Sequence, residues 1–315
     1  MPTDPFEPIA LEASRQSLPA TIRRVVETSA EIQAEPPERP DFLHAVLCQV
    51  GMPRRKCEGG IFERKSGNAS IRLESGAIYN GQEWVSQPLP YGTHPRLIMV
   101  HISSEAVRTQ SPHIEVGATL RQFLDRLGVY PNGGPRGGYT MFRKQMAALA
   151  ACRMSLGIAH SHDHVAQITN ANPIERFDAW IDNESNQQAF WPGYLELNPR
   201  FFETLSKCAV PLDPRALSAL KHSSLAFDIY SWLAHRLCRV NKVGGIKISW
   251  VQIKEQFGQE YQSSKDFKKK FLGALRQVRS VYPDARLEVV PGSLILYPSL
   301  PPVPKIRVLI PGAPK

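Results

Sequence analysis

Residues 265–282 read KDFKKKFLGALRQVRSVY, and wound as a helix they have two unlike faces. At about 100° per residue, Phe267, Phe271, Ala274, Leu275, Val278, Val281 and Tyr282 fall on one stripe. Lys265, Lys269, Arg276 and Arg279 point the other way, with Gly273 and Ser280 among them. Such a helix buries its apolar side and offers the basic side to phosphates, and the small residues let its backbone approach a surface closely. By itself the stretch reads equally well as a solvated surface helix rich in lysine. Its neighbours decide between the two.

Upstream, KISWVQIKEQFG (247–258) places Ser249 and Gln252 at the spacing of a capping box, which predicts a helix starting at Trp250. Trp250, Ile253 and Phe257 share a face of it, and Gly258 suits its end. A polar turn through Gln262, Ser263 and Ser264 leads into the basic helix. Downstream, 285–290 and 293–298 read as strands joined by the turn dipeptide Pro291-Gly292. Helix, turn, basic helix and hairpin follow one another as in a winged helix-turn-helix, whose second helix enters the major groove while the hairpin lies along the backbone.

The 315 residues, 42% of them hydrophobic, suffice for a sizeable core and two domains. The net charge of +9 favours a polyanionic partner. It is unevenly placed: from Lys242 to Arg279 nine basic residues face three acidic ones. Five scattered cysteines without a CxxC spacing fit reduced thiols in a cytosol. Without a signal peptide or an apolar run near 18 residues, the expectation is a soluble cytoplasmic protein with no membrane partner.

Along the chain, residues 1–40 form a proline-rich flexible leader, with a short amphipathic helix over 20–32 that puts Ile22, Val25 and Val26 on one side. A first domain is expected over 41–188. It has strands over 61–64, 69–74 and 77–79, a break at Leu89-Pro90-Tyr91-Gly92, and helices over 96–107 and 119–127. The glycine-rich turn 132–138 lacks a following GK[ST] and is no P-loop. The helix over 139–152 turns Phe142, Met146 and Leu149 inward. Strands over 155–168 and around Tyr194–Leu197 then repeat the order of the C-terminal half. A polar stretch, 170–188, ends this domain. The second domain covers 189–300, with Asp213-Pro214 opening one helix and Ser224 capping another through Arg239. Residues 301–315 are a flexible tail. The expected fold class is α+β, two tandem winged-helix domains.

Several segments carry a family likeness in order. In the first half they are Leu89-Pro90-Tyr91-Gly92-Thr93-His94-Pro95-Arg96-Leu97-Ile98, Glu105-Ala106-Val107-Arg108, the helix of 117–128, and Gly138 with Phe142-Arg143-Lys144-Gln145. In the second they are Val210-Pro211-Leu212-Asp213, Ala216-Leu217, Leu225-Ala226-Phe227-Asp228-Ile229-Tyr230-Ser231-Trp232, Gln256-Phe257-Gly258, Phe267-Lys268, Tyr282-Pro283-Asp284-Ala285 and Pro298-Ser299. Over roughly 41–302 the chain resembles the RepA-type plasmid replication initiators. The resemblance implies tandem winged-helix domains that bind repeated sites (iterons) in the duplex DNA of a plasmid origin, open adjacent A·T-rich DNA, and recruit a host initiator and replicative helicase. It also implies a capacity to form homodimers and to repress the protein's own promoter.

For DNA contact the basic helix nominates Lys265, Lys268, Lys269, Arg276 and Arg279, with Lys270 leaning back towards the packed side. Arginine reads guanine bidentately, so a base contact falls to Arg276 first. In the first domain the nominees are Thr140, Arg143, Lys144 and Gln145, with Arg136 and Tyr139 at the backbone beside the helix start. Two rivals stand beside this reading. One is a winged-helix transcriptional repressor with no initiator role. The other is a metal-dependent rolling-circle nickase using His160, His162 and His164, which share one face of a strand about 7 Å apart. Ser161 and Asp163 stand between those histidines, where such nickases carry a hydrophobic residue, and no carboxylate or thiol partner is evident. No serine or cysteine triad has its motif context. The sequence therefore predicts no catalytic residue, no metal ligand, no cofactor and no enzyme.

Overall fold

A computed structural model describes residues 20–79, 81–115, 120–127, 138–159, 166–171, 173–176 and 194–304. In chain order these form α1 (Ala20–Ala34), β1 (Asp41–His44), α2 (Ala45–Val50), β2 (Ile61–Ser66), β3 (Ala69–Glu74), β4 (Ala77–Tyr79), β5 (Trp84–Ser86), α3 (Thr93–Thr109), β6 (His113–Glu115), α4 (Leu120–Arg126) and α5 (Gly138–Ala151). There follow β7 (Arg153–Ala159), β8 (Ala166–Ala171), β9 (Ile174–Arg176), β10 (Tyr194–Leu197), α6 (Pro199–Cys208), β11 (Ala209–Leu212), α7 (Pro214–Leu220) and α8 (Ser224–Arg236). A 3-10 turn, Leu237–Arg239, leads to β12 (Ile246–Ser249), α9 (Trp250–Phe257), α10 (Ser264–Val281), β13 (Leu287–Val290) and β14 (Ser293–Leu296). The fold is α+β, mixed helices with small antiparallel sheets.

Local chemistry sets the helix ends. Ser249 and Gln252 form the expected capping box on α9. Asp213 caps α7 through Arg215 N–H, and Pro214 takes the first turn, where its missing N–H costs nothing. The cap of α8 is Ser223 rather than Ser224, its hydroxyl accepting from Ala226 N–H at 3.2 Å. Helix α3 starts three residues before the expected 96, because Pro95 is tolerated within a first turn.

One arrangement recurs. In the second half helix α8, β12, α9, α10, β13 and β14 follow in sequence, and the sheet order is β12-β14-β13. In the first half α3, β6, α4, α5, β9 and β10 follow likewise, and the sheet order is β6-β10-β9. In both sheets the last strand lies between the other two. The strands over 155–168, expected to be the counterpart of the C-terminal hairpin, are an insertion instead: β7 and β8 join β2 and β3 in a four-stranded sheet, order β2-β3-β7-β8. Burial explains it, since Ala69, Ile71, Leu73, Met154 and Leu156 share its covered face.

The halves are knit together. β1 pairs antiparallel with β11, Asp41 opposite Leu212, and α2 packs on α8. Buried hydrophobic residues from Val25 to Leu296 form one contiguous cluster. Part of the leader joins it: α1 packs on α7 and α10 with Val25 buried, and Arg215 donates to the Glu31 and Glu35 carbonyls at its C-terminal end. Val26, expected on the same side, is exposed.

Between the halves lie buried charges. Arg96 of α3 grips Asp228 of α8 with two bonds of 2.7 and 2.8 Å, and also donates to the Met52, Pro53 and Gly92 carbonyls. Gly51, at φ +54°, faces that carboxylate so closely that a Cβ would stand 2.9 Å from its oxygen. Only glycine satisfies both the left-handed φ and the contact.

His44 caps α2, its Nδ1 accepting from Val46 N–H at 3.2 Å, and stacks on Phe201. Burial pushes its pKa down to about 4, and His235 is lowered to about 4 by burial and by Arg239 and Arg236. The unfolded chain therefore takes up protons first. Stability is complete above about pH 6.5 and falls as pH drops towards 4, by on the order of 3 kcal/mol for His44. Urea unfolding at stepped pH should show this fall, and His44→Asn, which keeps an accepting cap, should flatten part of it. An unchanged profile in that variant would remove His44 from the account.

Candidate nucleic-acid interface

The basic helix α10 is anchored from below by aromatic packing. Phe257, Phe267 and Phe271 are buried, the rings of Phe257 and Phe267 standing 5.7 and 5.6 Å from that of Phe271, and Trp250 meets Phe271 edge-on at 5.7 Å. Every residue of the expected stripe is buried: Phe267, Phe271, Ala274, Leu275, Val278, Val281 and Tyr282. Ser263 caps the helix by accepting from Asp266 N–H, and Asp266 in the first turn suits the positive end of the helix dipole. Lys254 of α9 ties the preceding turn by donating to the Gln262 carbonyl (3.1 Å) and the Ser264 hydroxyl (2.9 Å).

With its back fixed, α10 leaves Lys265, Lys269, Arg276 and Arg279 exposed. Lys270 is exposed too, correcting its expected lean into the packing; it lies on the flank of the stripe, where a long side chain reaches water. Lys268 is half-buried, its ammonium 4.8 Å from the centre of the Trp250 ring, so its charge is held towards α9. A Cβ on Gly273 would meet nothing within 4 Å, so packing does not demand glycine there and the face around it is open. The hairpin β13–β14 turns at Gly292 (φ +78°), whose carbonyl accepts from Trp250 N–H at 3.1 Å, joining the hairpin tip to the start of α9.

In the first half α5 exposes Arg143 and Lys144, while Tyr139 and Thr140 are half-buried. Gln145 is not on that surface. It is 2% exposed, and its Oε1 accepts from Tyr91 N–H at 2.7 Å. Three residues after Phe142, it falls on the buried side and satisfies the backbone of the Leu89–Gly92 break. Arg136 and the histidines 160, 162 and 164 lie outside the described residues. Among the described residues no group of three His, Cys, Asp or Glu could hold a metal ion, and no helix is long and apolar enough to cross a membrane.

Sequence reasoning missed the charges that hold α9 and α10 to the first half. Glu260, in the turn between them, pairs with both Arg54 and Arg64. Burial alone would raise its carboxyl, but the two guanidinium groups more than offset this and hold it below the ordinary value.

A family model described as plasmid encoded RepA protein matches residues 89–252, more than half of the chain. That span includes α5 and ends inside α9, ahead of the basic helix. No curated protein and no solved structure matches the chain. The chain belongs to the family of plasmid-encoded RepA proteins, the RepA-type plasmid replication initiators.

Proposed function

We propose that this protein initiates plasmid replication by binding repeated sites in duplex origin DNA through two winged-helix domains, residues 41–188 and 189–300. The observation that carries the reading is α10: its apolar face is sealed into the core while Lys265, Lys269, Arg276 and Arg279 project from the other. The recurrent helix–strand–helix–helix–strand–strand order supports the same docking mode for each half, with α5 the counterpart of α10. Opening of A·T-rich DNA, recruitment of a host initiator and helicase, dimerisation and repression of its own promoter belong to this reading, as does a cytoplasmic location. Binding is the activity, not catalysis.

The test uses purified protein and labelled DNA from immediately upstream of its gene, with Mg²⁺ or with EDTA. Shifted, uncut DNA is expected in both. Arg276→Ala should weaken binding by about 1–3 kcal/mol and relax preference at one base position. Strand cleavage that needs metal and is lost in His162→Ala would replace this reading with the nickase. A protein that binds but fails to support a plasmid lacking its own initiator would be the repressor.

A further inference from the structure

We propose that Arg54 and Arg64 are positioning residues which, through Glu260, fix the seat of α10 relative to the first half and so set the spacing of the DNA segments the protein accepts. The inference rests on the DNA-binding reading above. Its ground is the turn of residues 258–263, the short connection that governs how α10 follows α9. Groups from the first half hold the end of α9 and residues 259–261 of this turn. The Gln49 carbonyl accepts from Gln256 Nε2 at 2.6 Å, and Arg54 donates to the carbonyl of Phe257, the last residue of α9. Arg64 donates to Gln259 Oε1 at 3.3 Å and to Glu260 Oε1 at 3.0 Å, while Arg54 takes the other Glu260 oxygen. Arg54 and Arg55 both lie over the ring of Tyr261, 5.8 and 5.6 Å from its centre.

The helix pair does not need these bonds to close. The capping box, the Ser263 cap, the Lys254 bridge and the phenylalanine cluster are all internal to the second half. What the arginines add is location. The Arg64 side chain is 0% exposed, Arg54 5% and Glu260 15%. A turn displaced from this seat would leave charges buried without partners, so few alternative seats are tolerated. Arg54 also stands 4.0 Å from Asp228, the residue held by Arg96, so the turn is tied through α8 back to α3. Basic faces on α5 and α10 are thereby carried as one unit. One inserted base pair moves a DNA segment by about 3.4 Å and about 35° around the duplex, a displacement that a fixed pair of helices does not follow.

The experiment uses the full-length protein. Footprinting of the upstream DNA defines the protected segments, and probes carrying one or two extra base pairs between them are compared with the native spacing. The parent protein should lose about tenfold or more in affinity per insertion, comparable to a mismatch in the site. Glu260→Gln keeps the volume and removes the charge. It should bind the native probe less well but suffer an insertion penalty at least about threefold smaller. Arg64→Lys keeps the charge with a shorter reach; it should fall between the two, and it decides the matter if Glu260→Gln does not fold. A general loss of stability would weaken binding to all probes alike and leave the penalty unchanged, so an unchanged penalty overturns the proposal. A footprint of one undivided segment, or a parent indifferent to insertions, overturns it too while leaving DNA binding standing. If the parent binds none of the probes, the DNA reading itself fails.

Discussion

Replacing Asp228 with asparagine is expected to remove about 3–5 kcal/mol of folding stability, the cost of stranding a buried charge. Asp228 is 5% exposed and takes both the Nε and Nη2 bonds of Arg96, itself 3% exposed, with Arg54 at 4.0 Å. An amide cannot neutralise either guanidinium, and its own NH₂ would face donors. Many buried ion pairs can be exchanged for apolar residues at little cost, but this one differs. Arg96 also donates to the carbonyls of Met52, Pro53 and Gly92, so Arg96→Met takes a donor from each of them, leaving Pro53 only the Gly92 N–H at 3.1 Å, and strands the carboxylate as well. The two single replacements should each be severe, and the double variant should cost less than their sum because both act on one network. Set against a typical total of about 5–15 kcal/mol, either single change leaves a marginal protein. Urea unfolding measures this directly through the midpoint at constant slope. A loss under about 1 kcal/mol for Asp228→Asn would show that the pair is solvated and the network of little consequence.

How much of this was legible depends on the range of the interaction. The capping box at Ser249 and Gln252, the stripe of α10 and the Pro291-Gly292 turn are signals within one or two helical turns, and the structure forms them as expected. Period-two alternation marked 155–168 as strand, but alternation says nothing of partners, and β7 and β8 pair within a sheet begun at residue 61. The sequence nominates Gln145 for DNA contact beside Thr140, Arg143 and Lys144, although its place three residues after Phe142 puts it on the buried side. The network across the halves joins Arg96 to Asp228 and Arg64 to Glu260 over separations of 132 and 196 residues, where no periodicity reaches. One clue was present. Arg96 opens the run RLIMV and Asp228 interrupts LAFDIYSW, each a lone charge in an apolar stretch. A charge that must be buried demands an opposite one, so each implied the other.

The largest effect on binding should come from salt. The proposed DNA contacts count five cations on α10 (Lys265, Lys268, Lys269, Arg276 and Arg279), two on α5 (Arg143 and Lys144) and Arg136, eight in all. Eight contacts give a log–log slope of affinity against salt near −7, so raising salt from 50 to 200 mM should cost about 10⁴-fold in affinity. The slope also apportions the contact between the halves, because α10 alone would give roughly −4 to −5. Single replacements refine it. Lys269→Ala, from the open face, should make the slope shallower by about one. Lys268→Ala should change it less, since that ammonium is already drawn over the Trp250 ring and away from the exposed face. A titration of the upstream DNA at stepped salt decides these outcomes. A slope no steeper than about −2 would mean that only a couple of these cations meet phosphate, and α10 would then have to be read as a solvated lysine-rich helix after all.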